Sequence, residues 1–209
     1  MHFSLIDRTA WDREEYFQHY FSTVPCTYSM TVTLDITGIR AAGRKLYPAL
    51  LYALTKLVNR HDEFRTAFNR SGELGIYGDI IPCYTVFHKD SETFSNIWTP
   101  FSEDYAVFCR SYEQDLARYG HIHSMMAKPD MPENVFFVSM VPWESFDGFH
   151  LNLQKGFESL LPIFTFGRFY QKEGRWLIPL SVQVHHAVCD GFHTCRFVSE
   201  LRELLAAGI

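Results

Sequence analysis

Residues 27–37, TYSMTVTLDIT, alternate without a break: Tyr28, Met30, Val32, Leu34 and Ile36 take one parity, Thr, Ser and Asp the other. Strand side chains point alternately to opposite faces, so this segment predicts a strand with one face on a core and one face wet. Near the other end, RWLIPLSVQVHH (175–186) is a mostly apolar strand-like run. It leads within a few residues into GFHTCRFVSELRELLAAG (191–208), where Phe192, Cys195, Val198, Leu201 and Leu205 fall on one helical stripe. A chain with both periods has to bury a sheet face under helices.

The segments between them agree. DREEYFQHY (12–20) predicts a short amphipathic helix with acids in its first turn. Pro48 is expected at the first position of the helix PALLYALTKLVNR. RTAFNR, ELGIYG and CYTVFH are strand-like pieces set off by Gly and Pro. DYAVFCRSYEQDLARYG (104–120) is helical up to its glycine. NVFFVSM, FHLNL and PIFTFGRFYQ read as strands, the last joined through KEG to RWLIPLSVQVHH. No repeat or Ser/Gly-rich linker divides the chain, so residues 1–209 are expected as one mixed α/β domain. The strand connections are too irregular for a simple doubly wound sheet.

Composition narrows the function. With a net charge of −5 and no Lys/Arg cluster longer than a pair, the chain lacks a nucleic-acid footprint. No apolar run is long enough for a membrane span, and the N-terminal MHFSLIDRTAWDREE lacks a signal-peptide pattern. The cysteines, Cys26, Cys83, Cys109, Cys189 and Cys195, are odd in number with no CxxC, which suits reduced thiols in a cytoplasmic protein. Aromatic residues make up 16%, which fits either an aromatic core or a pocket for an apolar ligand.

SVQVHHAVCDGFH (181–193) gathers reactive side chains at the end of an apolar run. Four readings compete: a metal site, a Cys–His nucleophile, a general base supported by a carboxylate, and a packed strand end. Strand alternation sends His186 to the face of Val182 and Val184 and His185 to that of Ser181 and Gln183, so the pair cannot share a metal ion without a bend. HIH (121–123) lies in a polar stretch, as surface histidines do. Cys189 is followed by Asp190, and a neighbouring carboxylate raises a thiol pKa rather than activating it. Packing accounts for Ala187 and Val188 but not for HH followed by Asp-Gly.

His-His-x-x-x-Asp-Gly is the signature of the chloramphenicol acetyltransferases and the dihydrolipoyl acyltransferase cores, and it also occurs in peptide-synthetase condensation domains. SVQVHHAVCDGFH closely resembles the chloramphenicol acetyltransferase version. WDREEYFQHY, YPALLY, DEFR, TVFH…ETFS and FVSMVPW follow in family order, so the resemblance covers nearly the whole chain. It implies a two-layer CoA-dependent acyltransferase fold, a mixed β-sheet with helices packed on it. It also implies a homotrimer, with each active site at a subunit boundary, that uses acetyl-CoA and no metal to acetylate the 3-hydroxyl of chloramphenicol.

Residue by residue, the resemblance makes His186 the general base and Ser139 the donor to the oxyanion, with Thr165 ordering a water beside it. Asp190 and Arg13 become a structural pair that fixes the turn aiming His186, and His185 becomes structural. Tyr20, Cys26, Phe137, Phe149 and Leu151 are nominated for the drug pocket, and Tyr52, Trp143 and Arg168 for the CoA channel. Phe169 stands where a tyrosine is common, which removes a hydroxyl contact. Two other readings share the motif: an acyltransferase of this fold acting on another hydroxyl or thiol, and a non-catalytic protein that binds hydrophobic drugs.

Overall fold

The structure, a computed structural model, describes residues 2–152 and 159–209. It begins with β1 (Phe3–Leu5), α1 (Glu14–Gln18), which continues as a π-helical turn (His19–Thr23), β2 (Thr27–Asp35), α2 (Thr37–Ala41) and α3 (Leu46–Val58). A 3-10 turn (Asp62–Phe64) leads to β3 (Thr66–Phe68), β4 (Leu74–Tyr77), β5 (Ile81–His88), β6 (Thr93–Trp98) and α4 (Tyr105–Tyr119). The chain ends with β7 (Val135–Met140), β8 (Ile163–Phe166), β9 (Tyr170–Lys172), β10 (Arg175–His185) and α5 (Gly191–Ala206).

A seven-stranded sheet runs β2-β10-β8-β7-β5-β6, with β9 beside β10. β7 lies parallel to both β5 and β8, and the other pairs are antiparallel, so the sheet is mixed. A separate three-stranded sheet has the order β1-β4-β3. Along β10, Ile178, Leu180, Val182 and Val184 are buried on the helix-covered face. There Phe164 of β8 stacks on Phe197 of α5 at 5.4 Å, and Phe136 of β7 meets Phe164 edge-on at 5.6 Å. Burying one such side chain contributes about 1.5–3 kcal/mol, which makes this face the anchor of α5.

Several elements depart from the sequence pattern, each for a local reason. In α5 the buried residues are Thr194, Phe197, Val198, Leu201 and Leu205, while Phe192 is 71% exposed and Cys195 is also exposed. The larger Phe197 takes the place over Phe164 and sets the rotation of the helix. α3 starts at Leu46, so Pro48 is third in the helix rather than first. The whole first turn lacks intrahelical acceptors for its N–H groups, so the ring forfeits no bond there. PIFTFGRFYQ splits at Gly167. Gly167 N–H donates to Pro179 O, but Pro179 has no N–H to return, and β8 ends at Phe166. A Cβ on Gly167 would lie 2.7 Å from the Pro179 ring and 2.8 Å from that of Phe146. The KEG turn is a two-residue loop with Glu173 at φ 52° and Gly174 at φ 77°, which matches the twist of the β9–β10 hairpin.

FHLNL is not a strand. Phe149–Asn152 runs without regular structure, and Leu153 lies outside the described residues. The same stretch removes the wet face expected of β2: only Thr33 is exposed there, whereas Ser29 and Thr31 are half-buried beneath it.

Candidate active site

The motif histidines part company at the end of β10. His185 closes the strand, paired with Thr27, and is 1% exposed; its Nδ1 accepts the Ala187 N–H at 3.1 Å. His186 lies on the turn that follows the strand, although its N–H still donates to Cys26 O at 3.1 Å, the next position of the β2–β10 register. Its ring stacks on Tyr20 at 3.8 Å with 7° between planes, and Tyr28 meets it edge-on at 5.4 Å. Nδ1 lies 3.1 Å from Asp190 Oδ1, though not aligned for a hydrogen bond, and among the described residues no other partner reaches that buried nitrogen.

Arg13 ties this turn together. Nη1 and Nη2 donate to the two carboxylate oxygens of Asp190, each at 2.7 Å. Nε donates to Ala187 O at 2.7 Å, and Nη2 also donates to His186 O at 2.9 Å. The guanidinium hydrogen bonds hold the Asp190 carboxyl below the usual carboxylate range. Asp190 is also the N-cap of α5. Burial pushes the Cys189 thiol up to about 12, so it stays a protonated, packed side chain. Among the described residues, no three His, Cys, Asp or Glu side chains gather to hold a metal ion.

A second cluster stands on the other face of the sheet. In-register pairing lines up Thr31, Ser181, Thr165 and Ser139 across β2, β10, β8 and β7. Ser139 and Thr165 open into a cavity of about 380 Å³, together with Thr85, Trp143, Phe149 and Leu151. The Phe149–Leu151 stretch is fastened by side chains standing in for a neighbouring strand. Ser181 Oγ donates to Phe149 O at 2.6 Å. Gln183 accepts the Leu151 N–H at 2.8 Å and donates to Leu151 O at 3.0 Å. Trp143 is 55% exposed, with its ring edge-on to Phe87 at 4.6 Å.

The remaining nominated residues fall elsewhere. Phe137 lines a neighbouring cavity of about 270 Å³ with Val135 and Leu160. Arg168 reaches Glu144 at 3.3 Å on the exposed 140s loop. Tyr52 is 3% exposed on α3, and its hydroxyl donates to Glu103 O at 2.6 Å, so it is not brought to the cavity. The two clusters do not meet either. Ser181 shares a row with Ser139, and His186 lies five residues further along the chain. At about 3.3 Å per residue, and two strand spacings of about 4.8 Å, Ser139 and His186 of one chain are roughly 15–20 Å apart.

The family model for chloramphenicol acetyltransferase matches residues 1–202. The chain belongs to the chloramphenicol acetyltransferase family. It is 60% identical over 205 residues to the chloramphenicol acetyltransferase of Vibrio anguillarum, covering 98% of this chain and 95% of that one. A chloramphenicol acetyltransferase of Clostridium perfringens is 59% identical, with 98% and 99% covered. Among solved structures, a chloramphenicol acetyltransferase superposes with a TM-score of 0.85 at 22% identity, covering 98% of this chain and 100% of that chain. The Azotobacter vinelandii dihydrolipoamide acetyltransferase follows the same fold at a TM-score of 0.65, with 17% identity and 92% and 86% covered.

Sequence reading passed over Tyr28, Ser181 and Gln183. Tyr28 OH meets Thr194 Oγ1 at 2.7 Å and so joins β2 to α5 beside His186. Ser181 and Gln183 did carry a signal, as polar residues at alternate positions of an otherwise apolar strand. In a buried sheet face such residues need partners, and here the partners are backbone groups of the Phe149–Leu151 stretch.

Proposed function

We propose that this chain transfers the acetyl group of acetyl-CoA to the 3-hydroxyl of chloramphenicol, in a cytoplasmic homotrimer whose sites lie at subunit boundaries. The separation of the His186 cluster from the Ser139 cluster carries this reading. A general base and an oxyanion donor must both act within a few ångströms of one carbonyl, and a single chain holds them too far apart. A neighbouring copy that docks its His186 turn over the open face of the sheet supplies what each chain lacks.

The residues fit the substrates. The mixed apolar and hydroxyl lining of the Ser139 cavity, Trp143 included, suits an acyl thioester arm, and Arg168, between β8 and β9, reaches Glu144, the residue after Trp143. Bound acetyl-CoA supplies the activated acyl group. With Nδ1 of His186 buried against Asp190, Nε2 is the nitrogen left to take the proton from the drug hydroxyl. As that oxygen bonds to the acyl carbon, the Ser139 hydroxyl donates to the developing oxyanion. The C–S bond then breaks, and the imidazolium returns its proton to the leaving thiolate.

The test is complementation. His186→Ala and Ser139→Ala subunits are refolded together, and thiol release from acetyl-CoA is followed on adding chloramphenicol. Random assembly in a head-to-tail ring gives about a quarter of interfaces an intact pair, so activity should rise well above either variant alone. Activity no greater than the mean of the two variants would refute the shared site.

A further inference from the structure

The Arg13–Asp190 clamp is braced from behind by a side chain that the proposed chemistry does not use. His193 is the third residue of α5, the place where a capping box carries Glu or Gln to accept the N-cap N–H. Its Nδ1 accepts the Asp190 N–H at 2.9 Å. A ring nitrogen accepts only when it bears no proton, so the contact requires neutral imidazole with its hydrogen on Nε2. Protonation would set N–H against N–H.

The ring is half-buried at a cavity of about 360 Å³ shared with Trp11, Tyr16, Asp12 and Asp62. The charges around it oppose one another: Glu63 of the 3-10 turn and Asp190 favour the imidazolium, while Arg13 and Arg196 disfavour it. Glu63 is itself ion-paired to Arg196, which weakens its pull on the ring. Desolvation is the largest influence and keeps His193 below the ordinary histidine value.

We propose that His193 is a positioning residue: its neutral ring locks the backbone of Asp190, and its protonation loosens the clamp through which Arg13 holds the His186 turn. The inference rests on the reading of His186 as the base.

Two substitutions separate a cap from mere filling of space. His193→Leu removes the acceptor and should lower kcat about five-fold, the factor one lost N-terminal cap carries, with both KM values within about two-fold. His193→Gln restores a capping-box acceptor that does not titrate, and kcat should recover to within about two-fold of the parent. As pH falls below about 6.5, parent activity should fall further than that of His193→Gln, by up to about five-fold once the ring is protonated, since only the parent also loses its cap. The melting temperature supplies a readout without turnover. Because the folded-state pKa is lowered, the unfolded chain binds the extra proton first, and stability drains away as pH falls through about 6.5. The parent should therefore lose more thermal stability on acidification than His193→Gln. A Gln variant as impaired as the Leu variant, an unchanged kcat in the Leu variant, or parallel acid limbs for parent and Gln variant would each overturn the proposal. If His186→Ala kept its turnover, the base reading would fall, while the melting comparison would still decide for or against the cap.

Discussion

Breaking the clamp from its two ends should have unequal costs, and the structure supplies the magnitudes. Arg13 makes four hydrogen bonds, two to Asp190 and one each to the carbonyls of His186 and Ala187. The Arg13 side chain is 16% exposed and that of Asp190 35%. Water therefore screens the pair in part, and each bond to the carboxylate is worth about 1–1.5 kcal/mol, at or below the low end for charged groups. Each carbonyl bond adds about 1 kcal/mol. Arg13→Val loses all four and should cost about 4–5 kcal/mol, whereas Asp190→Asn keeps one acceptor and should cost about 1.5–2.5 kcal/mol. In urea unfolding, the double mutant should fall short of additivity by about 1.5–2.5 kcal/mol. The Asp190 contribution has a defined pH window. Because Arg13 holds the folded carboxyl below its ordinary 3.8, the stability is present above that value and is lost as pH falls toward the folded pKa. Parent and Asp190→Asn stabilities should converge in strong acid. Full additivity would refute the Arg13–Asp190 pairing, and a cost for Asp190→Asn equal to that for Arg13→Val would refute the contribution of the carbonyl bonds.

Three further outcomes follow from the site. His186→Ala should lower kcat by about 10²–10⁴-fold with an unchanged melting temperature, measured by thiol release and calorimetry. Ser139→Ala should lower kcat by about 10²-fold with both KM values steady; a rise in KM at constant kcat would make it a ground-state contact. Gln183→Leu removes both bonds to the Leu151 peptide and should raise the chloramphenicol KM by about five- to ten-fold with kcat nearly unchanged, as steady-state kinetics would show.

The parts of the fold written in local periodicity could be read before the structure: the alternation of β2, the apolar run of β10, the helical period of α3 and α4, and the KEG hairpin. What escaped depended on partners distant in sequence. The rotation of α5 is decided by Phe197 meeting Phe164, a contact that no helical stripe reveals. The break at Gly167 comes from a missing N–H on Pro179, two strands along the chain. The Phe149–Asn152 stretch alternates like a strand, yet its hydrogen bonds go to Ser181, Gln183 and Thr31 side chains instead of to a ladder. The family resemblance likewise singled out His186 and Ser139, but the distance between them is a property of sheet register, which the sequence does not display.

That distance also explains why β10 is composed as it is. Its helix-side residues are uniformly apolar, while the opposite parity carries Ser181, Gln183 and His185. The first two hold the Phe149–Leu151 wall near the Ser139 cavity, and the strand's end delivers the His186 turn to Arg13 and Tyr20. In the proposed ring, one strand thus serves two sites, building the wall of one and carrying the base of the next. A rigid link between them is what such an arrangement requires, and an eleven-residue strand paired along nine positions with β2 provides it. A change in the register of β2 against β10 would shift wall and base together. Substitutions at the β2–β10 pairing should therefore weaken drug binding and turnover in parallel, whereas Gln183→Leu alone should separate them.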